Sequence, residues 1–441
     1  MKTAAARLRL EQLGPDTMTP GLERVRDLLE ALGNPHQRYP TAIVAGTNGK
    51  GSTTAMLTSI GLAAGLRVGA YSSPHLSDLE ERFQIDGHAI SQNGLDAQLE
   101  TIFAAVDLLM EDGRLGQSPS YFEILTTVAF RCFAEACVDL AVLEVGLGGR
   151  LDATNVTTPR VAVITPIALD HTDWLGDDIT QIAEEKFAVV PRGGVAIVAR
   201  QPPGVSAAIE QRAQEHGITL LRATDFPVEV SGVDSRLCHT FDLEARMRSY
   251  SGLQLALAGS HQVENARCAV LAAEALDRRR MRIGSDAIWA GLRRSSIAGR
   301  CEWFDGTPPI LLDGAHNPAA AVALISYLDR LRDANRFCRL HLVFGALEDK
   351  DVAGMAKLLY ARADTLIATR VPSSRSPQPT ELLAAAPTPE IAMAIDDPAD
   401  ALDRARELAN DDDLICVTGS IYLLGRLRPA LLTAAGPQSA P

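Results

Sequence analysis

Short runs of β-branched and aliphatic residues alternate along the chain with longer stretches whose apolar positions recur every three or four residues. The first pattern predicts buried strands and the second predicts helices. Leu22, Val25, Leu28, Leu29 and Leu32 share one helical face, and Gly33-Asn34-Pro35 ends that helix. Thr41 to Ala45 reads as the first strand, with a helix from Gly51 to Ala64 and Gly65 just beyond it. Arg67 to Tyr71, Leu140 to Val145, Val161 to Ile164 and Val195 to Ala199 read as further strands. Helices are expected from Ser91 to about Met110, from Tyr121 to Ala136, from Ile179 to Lys186 and from His261 to Leu276. The stretch from 218 to 258 reads as shorter strands.

Ser295 to Gly299 has the look of a hinge, and a second series follows it. Strands are expected at Ile310–Leu312, Leu340–Phe344, Thr365–Ala368 and Leu414–Thr418. One helix runs to Leu331 and another opens at Asp349-Lys350-Asp351. Arg370 to Pro379 reads as a Pro/Ser loop, and the tail from Ala434 as frayed. Strand–helix alternation of this kind predicts an α/β fold with mostly parallel sheets covered on both faces. Two domains are expected, 1–296 and a smaller 297–441. In such folds ligands bind beyond the carboxyl ends of the strands. Each polar loop that draws attention follows such an end.

The foremost is Gly46-Thr47-Asn48-Gly49-Lys50-Gly51-Ser52-Thr53, between a strand and a helix. Glycines let backbone N–H groups curl around an anion, and the helix start adds partial positive charge. Lys50 adds a full charge, and the Ser52 or Thr53 hydroxyl can hold magnesium on a phosphate. Gly51 between the lysine and the hydroxyl departs from the common G-x-x-x-x-G-K-[ST] spacing. The bland alternative is an ordinary turn with a solvated lysine.

Composition sharpens this reading. Of 441 residues, 46% are apolar and 22% charged, an ordinary globular balance. The net charge of −13 argues against nucleic acid or an anionic membrane as the main partner. An anionic substrate must therefore be held locally. Seven cysteines without a C-x-x-C pair read as reduced thiols of a cytoplasmic protein. No signal peptide or membrane span is legible, and no internal repeat.

Glu144 ends a buried strand, where a lone charge is costly unless paired or metal-bound. It could equally pair with Arg150. His171 ends the next strand, as a metal ligand or as a capped loop histidine. Asp313-Gly314-Ala315-His316-Asn317-Pro318 has the layout of a ligand loop or of a simple helix cap. Lys186 by itself reads as a surface lysine.

Five segments occur in order: Gly46 to Ser52, Ser72-Ser73-Pro74-His75-Leu76, Leu143 to Asn155, Ala168 to Asp173, and Asp313 to Pro318. Together they resemble the folylpolyglutamate synthase/dihydrofolate synthase family of the Mur ligase group, from about Leu22 to Leu424. The resemblance implies a P-loop ATPase domain with a mostly parallel sheet and a smaller Rossmann-like C-terminal domain. It implies an ATP-dependent amide ligase acting through an acyl phosphate. Its substrates would be dihydropteroate, tetrahydrofolate, L-glutamate and ATP, with magnesium, two ions, and a monomeric protein.

Carried over residue by residue, Asn48, Gly49, Lys50, Gly51, Ser52, Asn265, Arg300 and Asp313 would bind ATP. Ser73, Glu144 and His171 would ligate magnesium. Lys186 would be carbamylated and hold the second ion. Lys50, Lys186 and His316 would be the catalytic set. Ser120, Tyr121, Phe122, Glu123, Leu151, Asp152 and Ala153 would meet the pterin. Phe187-Ala188 departs from the family's Ala-Gly after that lysine. A Mur-type ligase of a cell-wall peptide precursor, or a nucleotide-binding regulator without ligase chemistry, are the competing readings. The Ser-Ser-Pro-His-Leu segment argues against the first, and intact Glu144, His171 and Lys186 against the second.

Overall fold

The computed structural model describes residues 2–14, 20–386 and 389–435. Two large sheets carry the fold. The first holds β1 (Thr41–Ala45), β2 (Val68–Tyr71), β3 (Phe83–Ile85), β4 (His88–Ala89), β5 (Leu140–Glu144), β6 (Val161–Ile164), β7 (Val195–Val198) and β8 (Thr219–Arg222). Their order is β4-β3-β2-β5-β1-β6-β7-β8. All pairings are parallel except the two made by the β3–β4 hairpin with itself and with β2.

The strands are apolar on both sides because helices cover both. Ile43, Leu143 and Ile164 face one core, with helices Gln92–Glu111 and Tyr121–Glu135. Ala42, Val44, Val142 and Val163 face the other, with helices Lys50–Ala63 and His261–Leu276. Strands β9 (Val228–Val233), β10 (Cys238–Glu244) and β11 (Ser249–Ala258) form a separate antiparallel sheet. The expected short strands of 218–258 thus divide, β8 joining the large sheet and the rest standing apart.

The second large sheet holds β12 (Glu302–Phe304), β13 (Ile310–Asp313), β14 (Leu340–Phe344), β15 (Thr365–Ala368), β16 (Ala392–Ala394) and β17 (Leu414–Thr418). Its order is β12-β13-β17-β14-β15-β16, parallel apart from β12. Leu311, Leu342 and Cys416 face one core and Leu312, Val343 and Val417 the other. Both sheets are therefore sandwiched by helices, as the alternation predicts.

Several elements were not legible. The N-terminal helix Lys2–Gln12, the β3–β4 hairpin, β12, β16 and helix Pro203–Glu215 carry weak or short apolar patterns, whereas Ser285–Arg294 and Pro398–Leu408 are short amphipathic helices that went unassigned. Ala434 and Ala435 close the last helix, Ile421–Ala435, and the remainder of the expected frayed tail lies outside the described residues.

Candidate active site

The Gly-rich loop leaves β1 at Gly46 and enters its helix at Lys50, one residue before the expected Gly51 start. Gly46 has φ 141° and Gly49 φ 87°. A Cβ on Gly46 would lie 2.0 Å from Thr165 Oγ1, and one on Gly49 2.4 Å from Asn265 Oδ1. Only glycine fits either place, so the loop is a bare-backbone cradle. No side chain caps the helix that follows, which leaves its first N–H groups directed at the loop. Lys50 Nζ donates to the carbonyls of Gly46 and Thr47 at 3.1 and 3.0 Å.

Asn265 donates to Gln262 at 2.9 Å, and Gln262 in turn donates to Ser52 Oγ at 3.2 Å. The helix His261–Leu276 thus braces the loop from behind. Glu144 closes β5 with 5% exposure, its carboxylate accepting from the Ser73 N–H at 3.4 Å. Burial pushes that carboxyl up, and Lys50 pulls it back. The same burial lowers the Lys50 ammonium, with Glu144 opposing. The pairing of Glu144 with Arg150 is not made, because Arg150 binds Glu185 at 2.7 Å.

Lys186 is buried, not a surface lysine. Burial, and Lys50 beside it, lower its ammonium to about 7. Gly149 presses on its backbone, since a Cβ there would stand 3.0 Å from Lys186 Cα. Phe187 sits in the apolar core with Ile182 and Val189, so the bulky neighbour is accommodated. His171 starts the helix Thr172–Leu175 with φ 53°. Burial lowers its ring to about 4, against the pull of Asp170.

The second sheet meets this edge. Asn48 and Asn317 bond each other, and Asn317 also donates to Asp170 at 3.1 Å. Lys350 Nζ lies 2.8 Å from Asp170, and His316 Nε2 lies 3.7 Å from it. Burial pushes the Asp170 carboxyl up, but His316, His171 and Lys350 outweigh it and hold it well below the usual range. Asp170, Asn317 and Lys350 were absent from the sequence-level site. Asp170 lay inside a quoted motif, but only the fold reveals its three partners.

Asp313 ends β13 and accepts from the Cys301 and Ala315 N–H groups at 2.9 and 3.0 Å. Arg300 Nη1 would lie 2.2 Å from a Cβ on Gly314, so the guanidinium packs on the same turn. These loops stand at the carboxyl edge of the second sheet, opposite the Gly-rich loop.

The expected pterin segments gather beside β5. Gly146 and Leu147 each donate to one Asp152 oxygen at 3.0 Å, and Thr154 N–H to the other at 2.9 Å. Asp152 therefore holds its own loop together. Glu123 accepts from Ser120 N–H at 2.7 Å and pairs with Arg24 at 3.1 Å. Phe122 stacks obliquely on Tyr71, Tyr121 lies beneath Arg82 at 5.8 Å, Ala153 is buried, and Leu151 is exposed. Among the described residues no three His, Cys, Asp or Glu side chains stand together as a metal cluster.

Comparison with known proteins fits this geometry. The Mur ligase middle domain matches residues 108–273, and the Mur ligase glutamate ligase domain residues 299–421. A Mycobacterium tuberculosis protein named dihydrofolate synthase/folylpolyglutamate synthase is 35% identical, covering 95% of this chain and 92% of its own length. The chain belongs to the dihydrofolate synthase/folylpolyglutamate synthase family.

A Bacillus subtilis member is 33% identical, over 93% of this chain and 95% of its own. A Halobacterium salinarum relative, named probable bifunctional folylpolyglutamate synthase/dihydropteroate synthase, is 37% identical over 96% of this chain, which spans 50% of that protein. The chain thus spans about half the length of some of the curated family members that it matches. Among solved structures, Mycobacterium tuberculosis folylpolyglutamate synthase complexed with ADP and AMPPCP has TM-score 0.88 and 33% identity, covering 97% of this chain and 99% of that one. Escherichia coli FolC in complex with DHPP and ADP has TM-score 0.86 and 33% identity, covering 98% of each. A family structure with Mn, AMPPNP and L-glutamate bound has TM-score 0.84 and 34% identity, covering 97% and 98%.

Proposed function

We propose that this chain is an ATP-dependent amide ligase that joins L-glutamate to dihydropteroate and adds further γ-linked glutamates to tetrahydrofolate. The observation that carries the reading is the meeting of a phosphate-type loop with the carboxyl edge of a second sheet, through Asn48, Asn317, Asp170 and Lys350. Two reactants held on two edges can be brought together by docking those edges.

A substrate carboxylate oxygen attacks the γ-phosphorus, the bond to the β-phosphate oxygen breaks, and ADP leaves. The amine of glutamate then attacks the acyl carbon. Inorganic phosphate departs with the former carboxylate oxygen, and the amine loses a proton. Asn48, Gly49, Lys50, Gly51 and Ser52 hold the phosphates, while Asn265, Arg300 and Asp313 hold the rest of ATP. His316 faces the nucleotide across the cleft. Ser120 to Glu123 and Leu151 to Ala153 frame the pterin, with Glu123 and Asp152 acting through the loops they fix.

Magnesium, when bound, neutralises the triphosphate and lowers its repulsion of the incoming carboxylate. Ser73, Glu144 and His171 suit it: magnesium commonly takes one or two carboxylates and completes its shell with phosphate oxygens and water. Lys186 as a carbamate would hold a second ion. Its buried amine, lowered to about 7, has the neutral form that reaction with carbon dioxide needs. We place the domain boundary at 296/297, and take the protein to be a cytoplasmic monomer. Among the described residues no helix is long and apolar enough to cross a membrane.

ADP release with dihydropteroate or tetrahydrofolate, each in turn omitted, with glutamate present, tests this. Release only with a pterin supports it. Turnover of UDP-muramoyl peptides alone would favour the cell-wall ligase.

A further inference from the structure

The loop after β2 is held at both ends by different parts of the molecule. At its start, the Ser73 N–H donates to the buried carboxylate of Glu144 in the first sheet. Three residues later, Leu76 packs into the apolar core of the second sheet with Leu424 and Leu427. The loop itself is stiff, because Glu81 accepts from the Leu76, Ser77 and Asp78 N–H groups at 2.8, 3.1 and 3.0 Å.

Gly425 is the point of contact. It stands inside the helix Ile421–Ala435, where glycine is less favourable than alanine. The structure shows what this glycine permits: a Cβ there would lie 1.9 Å from the Leu76 carbonyl oxygen and 3.0 Å from its carbon. Gly299, at φ 68°, opens the other side, with Leu76 methyls 3.6 Å and a Leu424 methyl 3.0 Å from its would-be Cβ.

We propose that Leu76, its carbonyl seated on Gly425 and its side chain anchored in the second core, is the positioning residue that sets Ser73 against Glu144, so that docking of the last helix aligns the nucleotide edge of the first sheet. Leu76 and Gly425 touch no substrate in this role. They act through Ser73. The catalytic part of the proposal rests on the ligase reading above. The mechanical part does not.

An alanine at 425 forces the helix and the Leu76 carbonyl apart by about 1 Å, a displacement that costs on the order of 100-fold when it reaches reacting groups. Amide hydrogen exchange at residues 72–78 in the free protein is the first readout, and kcat against KM for ATP the second. In Gly425→Ala and in Leu76→Ala, exchange at Ser73 should quicken by about tenfold or more, in Leu76→Ala by more than any change in the slowest-exchanging core amides. The kcat should fall 10- to 100-fold with KM for ATP changed little, whereas Leu76→Met, which keeps an apolar anchor, should leave exchange and kcat near wild type. Leu76→Ala keeps the carbonyl and removes the side-chain anchor on the second core without a clash, so it decides the matter should Gly425→Ala fail to fold. Wild-type exchange at Ser73 in Leu76→Ala would overturn the coupling, even if turnover dropped. A wild-type protein with no ligase activity would sink the functional reading alone, since exchange still reports on the contact.

Discussion

Asn48 and Asn317 exchange two hydrogen bonds, side-chain amide to side-chain amide, at 3.2 and 3.0 Å. They lie 269 residues apart, on loops that follow strands of different sheets. Asn317 also caps the helix Pro318–Asp333 by accepting from Ala320 N–H at 2.9 Å. The Gly-rich loop is thereby fastened to the start of a helix in the second sheet's layer. A double-mutant cycle of Asn48→Ala and Asn317→Ala should give a coupling of about 1 kcal/mol or more in chemical denaturation. Simple additivity would contradict the linkage.

Lys350 and Asp170 form a pair in which both side chains are less than a tenth exposed. Lys350→Met should cost about 3 kcal/mol at neutral pH, because it removes the ammonium paired with a buried carboxylate and leaves that charge to Asn317, His316 and the His171 N–H. Turnover should fall with it. Asp170 is held below the ordinary carboxylate range in the fold. Its contribution is therefore present above the unfolded value near 4 and is lost as pH falls through and below that. The gap between variant and wild type should narrow in acid, read by urea denaturation at neutral and acid pH. A gap that stays constant would contradict the pairing.

His75 accepts a hydrogen bond from Arg82 Nε at 3.0 Å. Burial first, and the Arg82 charge second, lower its ring to about 4. Between about 6.5 and 4 the unfolded chain binds a proton that the fold refuses, so stability falls as pH falls across that window. His75→Gln keeps an acceptor for Arg82 and removes this titration. Its stability should therefore decline less than the wild type's between pH 7 and 5. Parallel slopes would contradict the assignment.

Lys186 offers a chemical test. Its amine, lowered to about 7 by burial and by Lys50, becomes neutral as pH rises through that value. Labelled bicarbonate should then give a carbamate carbon signal that grows between pH 6 and 8 and is missing from Lys186→Arg. A bare amine in saturating bicarbonate would contradict the modification.

The parts legible in the sequence were those whose signal is local. Thr41–Ala45 and Leu140–Glu144 are continuous apolar runs ending in glycine-rich or charged turns, and both are fully buried strands. The motif residues Lys50, Glu144 and Lys186 stand near one another, each felt in the electrostatics of Lys50 or its neighbours. What escaped notice depends on distance along the chain. Nothing near Asp170 announces Lys350, 180 positions on. Arg24 reaches Glu123 over 99 positions, a partner that the local sequence does not announce. Lys186 looked solvated because nothing on its own helix announces its burial; the Gly149 turn, well before it in the chain, packs on its backbone. The helix Pro203–Glu215 hid because only Val205, Ile209 and Ala213 of it are buried.

The central claim is that one nucleotide is held between the Gly46–Ser52 cradle and the Arg300–Asp313 edge. A crystal structure with a non-hydrolysable ATP analogue and magnesium tests this most directly. The expected result is phosphates against the backbone of 49–52 and Lys50, with the nucleoside toward Asn265, Arg300 and Asp313. A triphosphate bound elsewhere, with that cradle left empty, would contradict it.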